Sequence, residues 1–242
     1  MPSIVLHFQA EPAVSLPVDD FHLRQGLVYH LMRENEELSA RMHAAAPGKN
    51  TYKFFTFSPL QMERTMFHED MMLAEGKGSF EVRSVLPEVI ETLTIAAMKA
   101  ETLRLGRSSV KLAGIELKDT LIRESSVNIR MRGPLVMHHT AEDRYRHYIS
   151  PMEDDFSDML NRNFQRKYET FSGKAPDGEV AIRLLRPLRP EDRYSGRFKG
   201  IIITGYYGEY ELTGAPEYLT FLYHCGLGVR NAEGFGFFEP VW

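Results

Sequence analysis

Apolar and polar residues alternate over residues 4–9, the period-two pattern of a half-buried strand, and at Asp20 the period changes. Leu23, Leu27 and Leu31 recur every four residues and Val28 and Met32 widen the stripe, so a helix is predicted there. A second helical piece spans 36–42 and is stopped by Pro47-Gly48. Residues 52–58 and 80–85 then predict strands, 87–98 a helix with Leu86, Ile90, Leu93 and Ala97 on one face, and 110–118 a strand. The order is β-α-β-β-α-β. Beyond Asp119 it recurs: a strand over 121–131, a helix over 151–171, strands over 179–186 and 197–212, a short helix over 216–224 and a last strand. Ser150 is read as an N-cap, with Pro151 at the first helical position and Glu153 completing a capping box. The fold class is therefore α+β, two tandem ferredoxin-like (RRM-like) units, with domains at 1–119 and 120–242. The duplication is one of pattern only, without repeated residues.

Composition narrows the class. A chain of 242 residues with 43% apolar and 11% aromatic content can fill a proper core. No run approaches the roughly 20 apolar residues that a membrane helix needs, and the apolar start at residues 3–8 is too short for a signal peptide. A single cysteine, Cys225, excludes an intramolecular disulfide and fits a reducing cytoplasm. A net charge of −4 argues against a nonspecific nucleic-acid binder, so distribution matters more than the sum. Acids crowd into 34–37 and 153–158, while Arg183, Arg186, Arg189, Arg193, Arg197 and Lys199 concentrate positive charge in one stretch. That separation permits a local anion-binding surface on an acidic protein; a solvated face accounts for it equally.

Chemistry concentrates at the C-terminal run Cys225-Gly-Leu-Gly-Val-Arg-Asn-Ala-Glu-Gly-Phe-Gly-Phe-Phe-Glu-Pro-Val-Trp242. Gly226, Gly228, Gly234 and Gly236 are spaced Gly-x-Gly-x5-Gly-x-Gly. A dinucleotide fingerprint needs glycine where Asn231 stands, and a Walker loop needs Gly-Lys-Ser/Thr at its end. Both also need a following helix, whereas Phe235, Phe237, Val241 and Trp242 read as a closing strand. Such a loop can lay backbone N–H groups against phosphates, with Arg230 adding a charge-assisted contact. A glycine hairpin that only turns the chain is the alternative.

This spacing, together with Gly26-Leu-Val-Tyr29, Met42-His43, Lys53-Phe-Phe-Thr-Phe-Ser58 and Pro151-Met-Glu-Asp-Asp-Phe156, resembles the CRISPR-associated protein six family. These are endoribonucleases that cut precursor guide RNA within its repeats, a branch of the repeat-associated glycine-loop RNA-binding proteins. The resemblance covers essentially the whole chain and implies the same tandem ferredoxin-like architecture. It implies a metal-independent endoribonuclease in which the RNA's own 2′-hydroxyl attacks phosphorus, leaving a 2′,3′-cyclic phosphate and a 5′-hydroxyl. By resemblance His43 is the catalytic histidine, and Tyr29 and Lys53 complete the group, with Lys53 stabilising the pentacoordinate phosphate. No cofactor or metal is implied. The implied partner is CRISPR repeat RNA, with other effector-complex subunits or a second copy of the chain as further candidates, and no membrane.

The residues themselves say less. His43 ends a helical segment and on its own reads as a surface histidine; Tyr29 lies off the Leu27/Leu31 stripe, free to stack on a base or to pack against the second half. Lys49 rivals Lys53 for the same role. For RNA binding the candidates are Gly226, Gly228, Arg230, Asn231, Gly234 and Gly236 of the loop and the Arg183–Lys199 run. Arg130 and Arg132 are weaker ones. His138-His139 with His147 lacks the carboxylates or cysteines of a metal shell, and Met62, Met66, Met71 and Met72 read as irregular core. Two departures from the family pattern stand out: Ala232, where a hydroxyl residue often follows the asparagine, and the 44–50 spacer between His43 and Lys53. Two other readings keep the fold: a non-catalytic repeat-RNA-binding subunit, and a ferredoxin-like protein-interaction scaffold.

Overall fold

A computed structural model of the chain describes residues 2–43, 52–140 and 146–241. The first half contains β1 (Pro2–Pro17), α1 (Phe21–Met32), α2 (Glu36–His43), β2 (Phe55–Phe57), β3 (Gln61–His68), β4 (Met71–Ser84), α3 (Pro87–Lys99), β5 (Thr102–Leu105) and β6 (Ser108–Asp119). Its antiparallel sheet runs β2-β4-β1-β6-β5, with β3 also paired to β4. Ile4, Leu6 and Phe8 of β1 and Phe80 and Val82 of β4 bury one face against Leu27, Val28 and Leu31 of α1 and Ile90 and Leu93 of α3. β1 is far longer than its alternation predicts, because a slip in register between Ala10 and Val14 absorbs the Glu11-Pro12 interruption and lets pairing resume. The methionine-rich β3–β4 hairpin divides: Met62 and Met72 pack against the core as read, whereas Met66 and Met71 are exposed together with Phe67 and Leu73, which corrects the reading at those two methionines.

On α1 the predicted stripe needs one amendment. Leu23 is half-buried and Arg24 takes a buried place. Its Nε and Nη2 lie 2.8 and 2.7 Å from Asp20 Oδ1 and its Nη1 donates to the Ser58 carbonyl at 3.0 Å, so the charge is paired and its protons are used.

The second half contains β7 (Ser126–Met131), β8 (His138–Thr140), β9 (Arg146–Tyr148), α4 (Phe156–Ser172), β10 (Ala181–Leu184), β11 (Arg193–Phe198), β12 (Ile201–Tyr206), β13 (Glu209–Thr213), α5 (Pro216–Cys225) and β14 (Phe238–Pro240). Its main sheet runs β10-β13-β7-β14, while β8–β9 and β11–β12 form separate two-stranded ribbons. In both halves the unit's first strand lies between its third and fourth, and the second flanks the third. Each half is thus a ferredoxin-like unit.

Three boundaries differ from expectation. The single strand read over 197–212 takes in parts of three strands: the end of β11 and all of β12, joined by a turn at Lys199-Gly200 in one ribbon, and then β13 in the main sheet, parted from them at Gly208 (φ 136°). The capping box at Ser150 does form, with Ser150 N donating to Glu153 Oε1 at 2.6 Å and Met152 N to Ser150 Oγ at 3.2 Å. It closes an isolated turn, and the helix starts only at Phe156. The closing strand is short: Phe235 and Phe237 are buried within the loop, and only Phe238–Pro240 pairs with β7.

The halves meet along an aromatic and ionic seam. Phe21 of α1 stacks on Phe235 at 4.5 Å, with Tyr194 and Phe198 edge-on to Phe235. Arg83 of β4 is 2% exposed and lies between the rings of Tyr223 and Phe237, 3.7 and 3.9 Å from their centroids. It donates to Glu81 Oε1 at 2.6 Å and to the Phe238 carbonyl at 2.7 Å. No helix among the described residues is long and apolar enough to cross a membrane.

Candidate active site

A cleft of about 820 Å³ opens between the halves. Residues 52–55 all line it, although a regular strand would point alternate side chains to opposite faces. Phe54 breaks that alternation: its φ of 56° places a bulky residue in the left-handed region, at a cost of roughly 1–2 kcal/mol. Lys53 is delivered to the cleft in this way, half-buried, and burial lowers its pKa.

Tyr29 lines the same cleft from α1. His43, the exposed last residue of α2, lays its ring against Tyr29 with centroids 4.6 Å apart and an interplanar angle of 39°. Tyr29 Oη donates to the Met42 carbonyl at 3.4 Å, tying α1 to the end of α2. Burial raises the Tyr29 pKa and the nearby Glu233 carboxylate adds to it, so the phenol keeps its proton at neutral pH. Lys49 lies outside the described residues.

The glycine loop forms the opposite wall, and it differs from expectation in how its backbone is used. All four glycines have positive φ, at 83° (Gly226), 66° (Gly228), 93° (Gly234) and 76° (Gly236), and all four are buried. The amides of Gly226, Leu227, Val229, Gly234 and Gly236 donate to the carbonyls of Leu222, Gly236, Val136, Asn231 and Pro134 at 2.7–3.0 Å. Those N–H groups are spent inside the protein, so the picture of a row of amides offered to phosphates is corrected at Gly226, Gly234 and Gly236. Close packing is why glycine is required: a Cβ on Gly228 would stand 2.5 Å from the Val136 carbonyl oxygen, and one on Gly234 the same distance from the Phe57 ring. Gly236→Ala is expected to cost at least about 2 kcal/mol in urea unfolding, since its methyl meets the Leu227 carbonyl at a left-handed φ.

What the loop presents to the cleft is its middle. Val229, Arg230, Ala232 and Glu233 are half-buried and line it. Arg230 holds φ at 63° and pairs with Glu233 at 2.6 Å. The Ala232 carbonyl accepts from Gln25 of α1 at 2.9 Å, and Gln25 in turn accepts from Lys199 at 2.8 Å, so Ala232 contributes through its backbone where a hydroxyl was expected.

Several cleft residues were not anticipated. Lys167 of α4 donates to the carbonyls of Gly226 and Gly228 at 2.9 and 3.0 Å and to Asn231 Oδ1 at 2.8 Å. Asn231 Nδ2 donates to the carbonyls of Leu227 and Phe235 at 2.8 and 3.1 Å, so this asparagine is a buried peg of the loop, not an exposed contact. A signal existed: Lys167 falls three residues after Phe164 on the Phe156–Leu160–Phe164 stripe, where an apolar residue belongs. Arg162 and Arg166, one helical turn apart on α4, also line the cleft, as does His138. Burial, with Arg146, Arg230 and His139 nearby, lowers the His138 pKa to about 4, so it is neutral at physiological pH. The His139 and His147 rings stack at 5.3 Å.

The basic run lies elsewhere. Arg183 pairs with Glu211 at 2.8 Å, Arg186 with Asp192 at 2.6 Å and Arg189 with Glu191 at 3.8 Å, so half of it is spent on acids of the same domain. Arg193 and Arg197 share the exposed face of β11. None of the six lines the cleft.

Comparison with known proteins points to one family over both halves. Residues 16–116 match the model of CRISPR-associated protein Cas6, N-terminal, and residues 116–240 that of CRISPR associated protein Cas6, C-terminal. CRISPR-associated endoribonuclease Cas6 1 of Methanocaldococcus jannaschii is 25% identical over 247 residues, spanning 96% of this chain and 90% of the relative. CRISPR-associated endoribonuclease Cas6 of Pyrococcus furiosus is 24% identical over 229 residues, spanning 93% and 83%. Among solved structures, a CRISPR associated protein Cas6 superposes with a TM-score of 0.80 at 20% identity over 100% of this chain and 99% of that one. An RAMP protein binding different RNA substrates superposes at 0.83 with 15% identity, covering both chains in full.

Proposed function

The chain belongs to the Cas6 family, and from that premise we propose that it cuts precursor CRISPR RNA within its repeats at the cleft between its two halves. It is an endoribonuclease of CRISPR RNA processing. In the proposed reaction the 2′-oxygen attacks the adjacent phosphorus, a P–O2′ bond forms and the P–O5′ bond breaks. The 2′-hydroxyl gives up a proton and the departing 5′-oxygen takes one, so no water is consumed and the ends are a 2′,3′-cyclic phosphate and a 5′-hydroxyl. His43 moves one of these protons, an imidazole being able to carry one on either ring nitrogen. Tyr29, a phenol at working pH, exchanges its long 3.4 Å bond to the Met42 carbonyl for one to a phosphate oxygen, and the Lys53 ammonium stabilises the crowded phosphorane. The strand is held by Arg230, Arg162 and Arg166 across the cleft, with Arg193 and Arg197 available to a flanking stem.

One observation carries this reading: His43 rests on Tyr29 at 4.6 Å, beside a cleft that Lys53 shares with Arg230 of the glycine loop. Incubation with a short repeat RNA in EDTA is expected to give a single specific cut, with the 5′ fragment resistant to direct periodate oxidation until its cyclic phosphate is removed. Binding without cutting would leave an RNA-binding subunit; neither would leave a scaffold. A requirement for added magnesium would refute the metal-independent route.

A further inference from the structure

Lys167 is the one buried ammonium of the described residues whose only contacts are neutral acceptors: two loop carbonyls and the Asn231 amide oxygen. Its three protons are fully used, yet no carboxylate among the described residues pairs with it, whereas buried Arg24 and Arg83 each have one. Burying a cation on dipoles alone is costly and lowers the Lys167 pKa, but three acceptors surround Nζ and only the ammonium has three protons to give them. The charge stands directly beneath Gly228 and Asn231, which line the cleft, and α4 carries Arg162 and Arg166 into the same cleft.

We infer that Lys167 is a positioning residue that shapes the glycine loop and supplies, through it, an unneutralised charge that holds one backbone phosphate of the bound RNA strand. The inference rests on the proposed RNA-cutting function and adds to it the source of the loop's attraction, which is a cation below the backbone and not its sequestered amides. A charge buried under one layer of backbone acts through a lower dielectric than a surface lysine, so a single one is felt by an anion at the loop surface.

The test compares wild type with Lys167→Met, which keeps the stem and removes the charge, using repeat RNA carrying a 2′-deoxy at the scissile position. The variant is expected to bind about tenfold more weakly, with the slope of log affinity against log salt shallower by about 0.7, the value of one single-strand phosphate contact. Unchanged affinity and slope in a folded variant would reduce Lys167 to an internal peg and overturn the inference. If the variant does not fold, a structure of the wild-type RNA complex decides: a phosphate over the loop within a Debye length, about 10 Å, of Nζ supports the inference, and no phosphate in that range overturns it. Wild type that fails to bind repeat RNA removes the functional reading itself and this inference with it; wild type that binds while Lys167→Met is unaltered removes only the inference.

Discussion

His43→Ala is expected to slow cutting at saturating repeat RNA by at least about a hundredfold while leaving RNA affinity within about threefold, because a positioned proton carrier contributes roughly 10²–10⁴ to a rate. The geometry makes the two effects separable. His43 is exposed at the end of α2 and touches the protein through the Tyr29 ring, so its removal opens no cavity and unpairs no buried charge. Single-turnover rates in EDTA and a dissociation constant measured on the same preparation check the prediction. Full cutting by the variant would eliminate His43 as the proton carrier. A parallel collapse of affinity would assign it to binding instead. Tyr29→Phe provides the companion measurement: it keeps the ring that His43 packs on and deletes the hydroxyl, so it isolates the phenol's own contribution.

Replacing Arg83 by alanine is expected to destabilise the protein by about 3–5 kcal/mol, the usual result of removing one partner of a buried ion pair. For a chain of this size that corresponds to a fall in Tm of roughly 6–20 °C. Three losses coincide: Glu81 keeps a desolvated carboxylate, the Phe238 carbonyl loses its donor, and Tyr223 and Phe237 are left facing an empty slot. The pH dependence separates the first loss from the others. Burial raises the Glu81 pKa, but the Arg83 charge and hydrogen bonds from Arg83 and Ser3 more than reverse it, leaving the carboxyl below its ordinary value. A depressed carboxyl contributes stability that is complete above its unfolded pKa, about 4.3, and is lost as pH falls through the folded value. The gap between wild type and Arg83→Ala should therefore narrow below about pH 4. A gap independent of pH would mean that the aromatic slot, not the ion pair, dominates.

Much of the scaffold was legible because it obeys one-sided burial. The Leu27/Leu31 stripe of α1 and the face of α3 bury as periodicity predicts, and the recurrence of β-α-β-β-α-β after Asp119 corresponds to two sheets of the same strand order. Legibility failed where that condition failed. The β3 arm of the hairpin leaves Met66 and Phe67 in solvent, so it carries no buried face to detect. The stretch 197–212 is uniformly rich in strand formers, and only the backbone of Gly208 records that the chain changes sheets. At the site, the glycine spacing marked a loop that lines the cleft, but spacing reports where backbone comes close and not what it approaches. Here it approaches its own carbonyls and Lys167, contacts that reach from residue 167 to residues 226–231. The basic run hides its partners for the complementary reason: Glu211, and Asp192 and Glu191 inside the run, pair with half of it once folded.

The seam opposite the cleft bears on which molecule does the adapting. With Phe21 stacked on Phe235 and Arg83 clamped between two rings of the other half, the jaws are joined by packed rings and a buried cation, a contact expected to hold their gape when RNA binds. A nucleotide strand entering this opening meets a mould that is already set. The entropic burden of recognition then falls on the guest, and sequences whose sugars and bases adopt the required bend cheaply are favoured even at positions where no side chain touches a base.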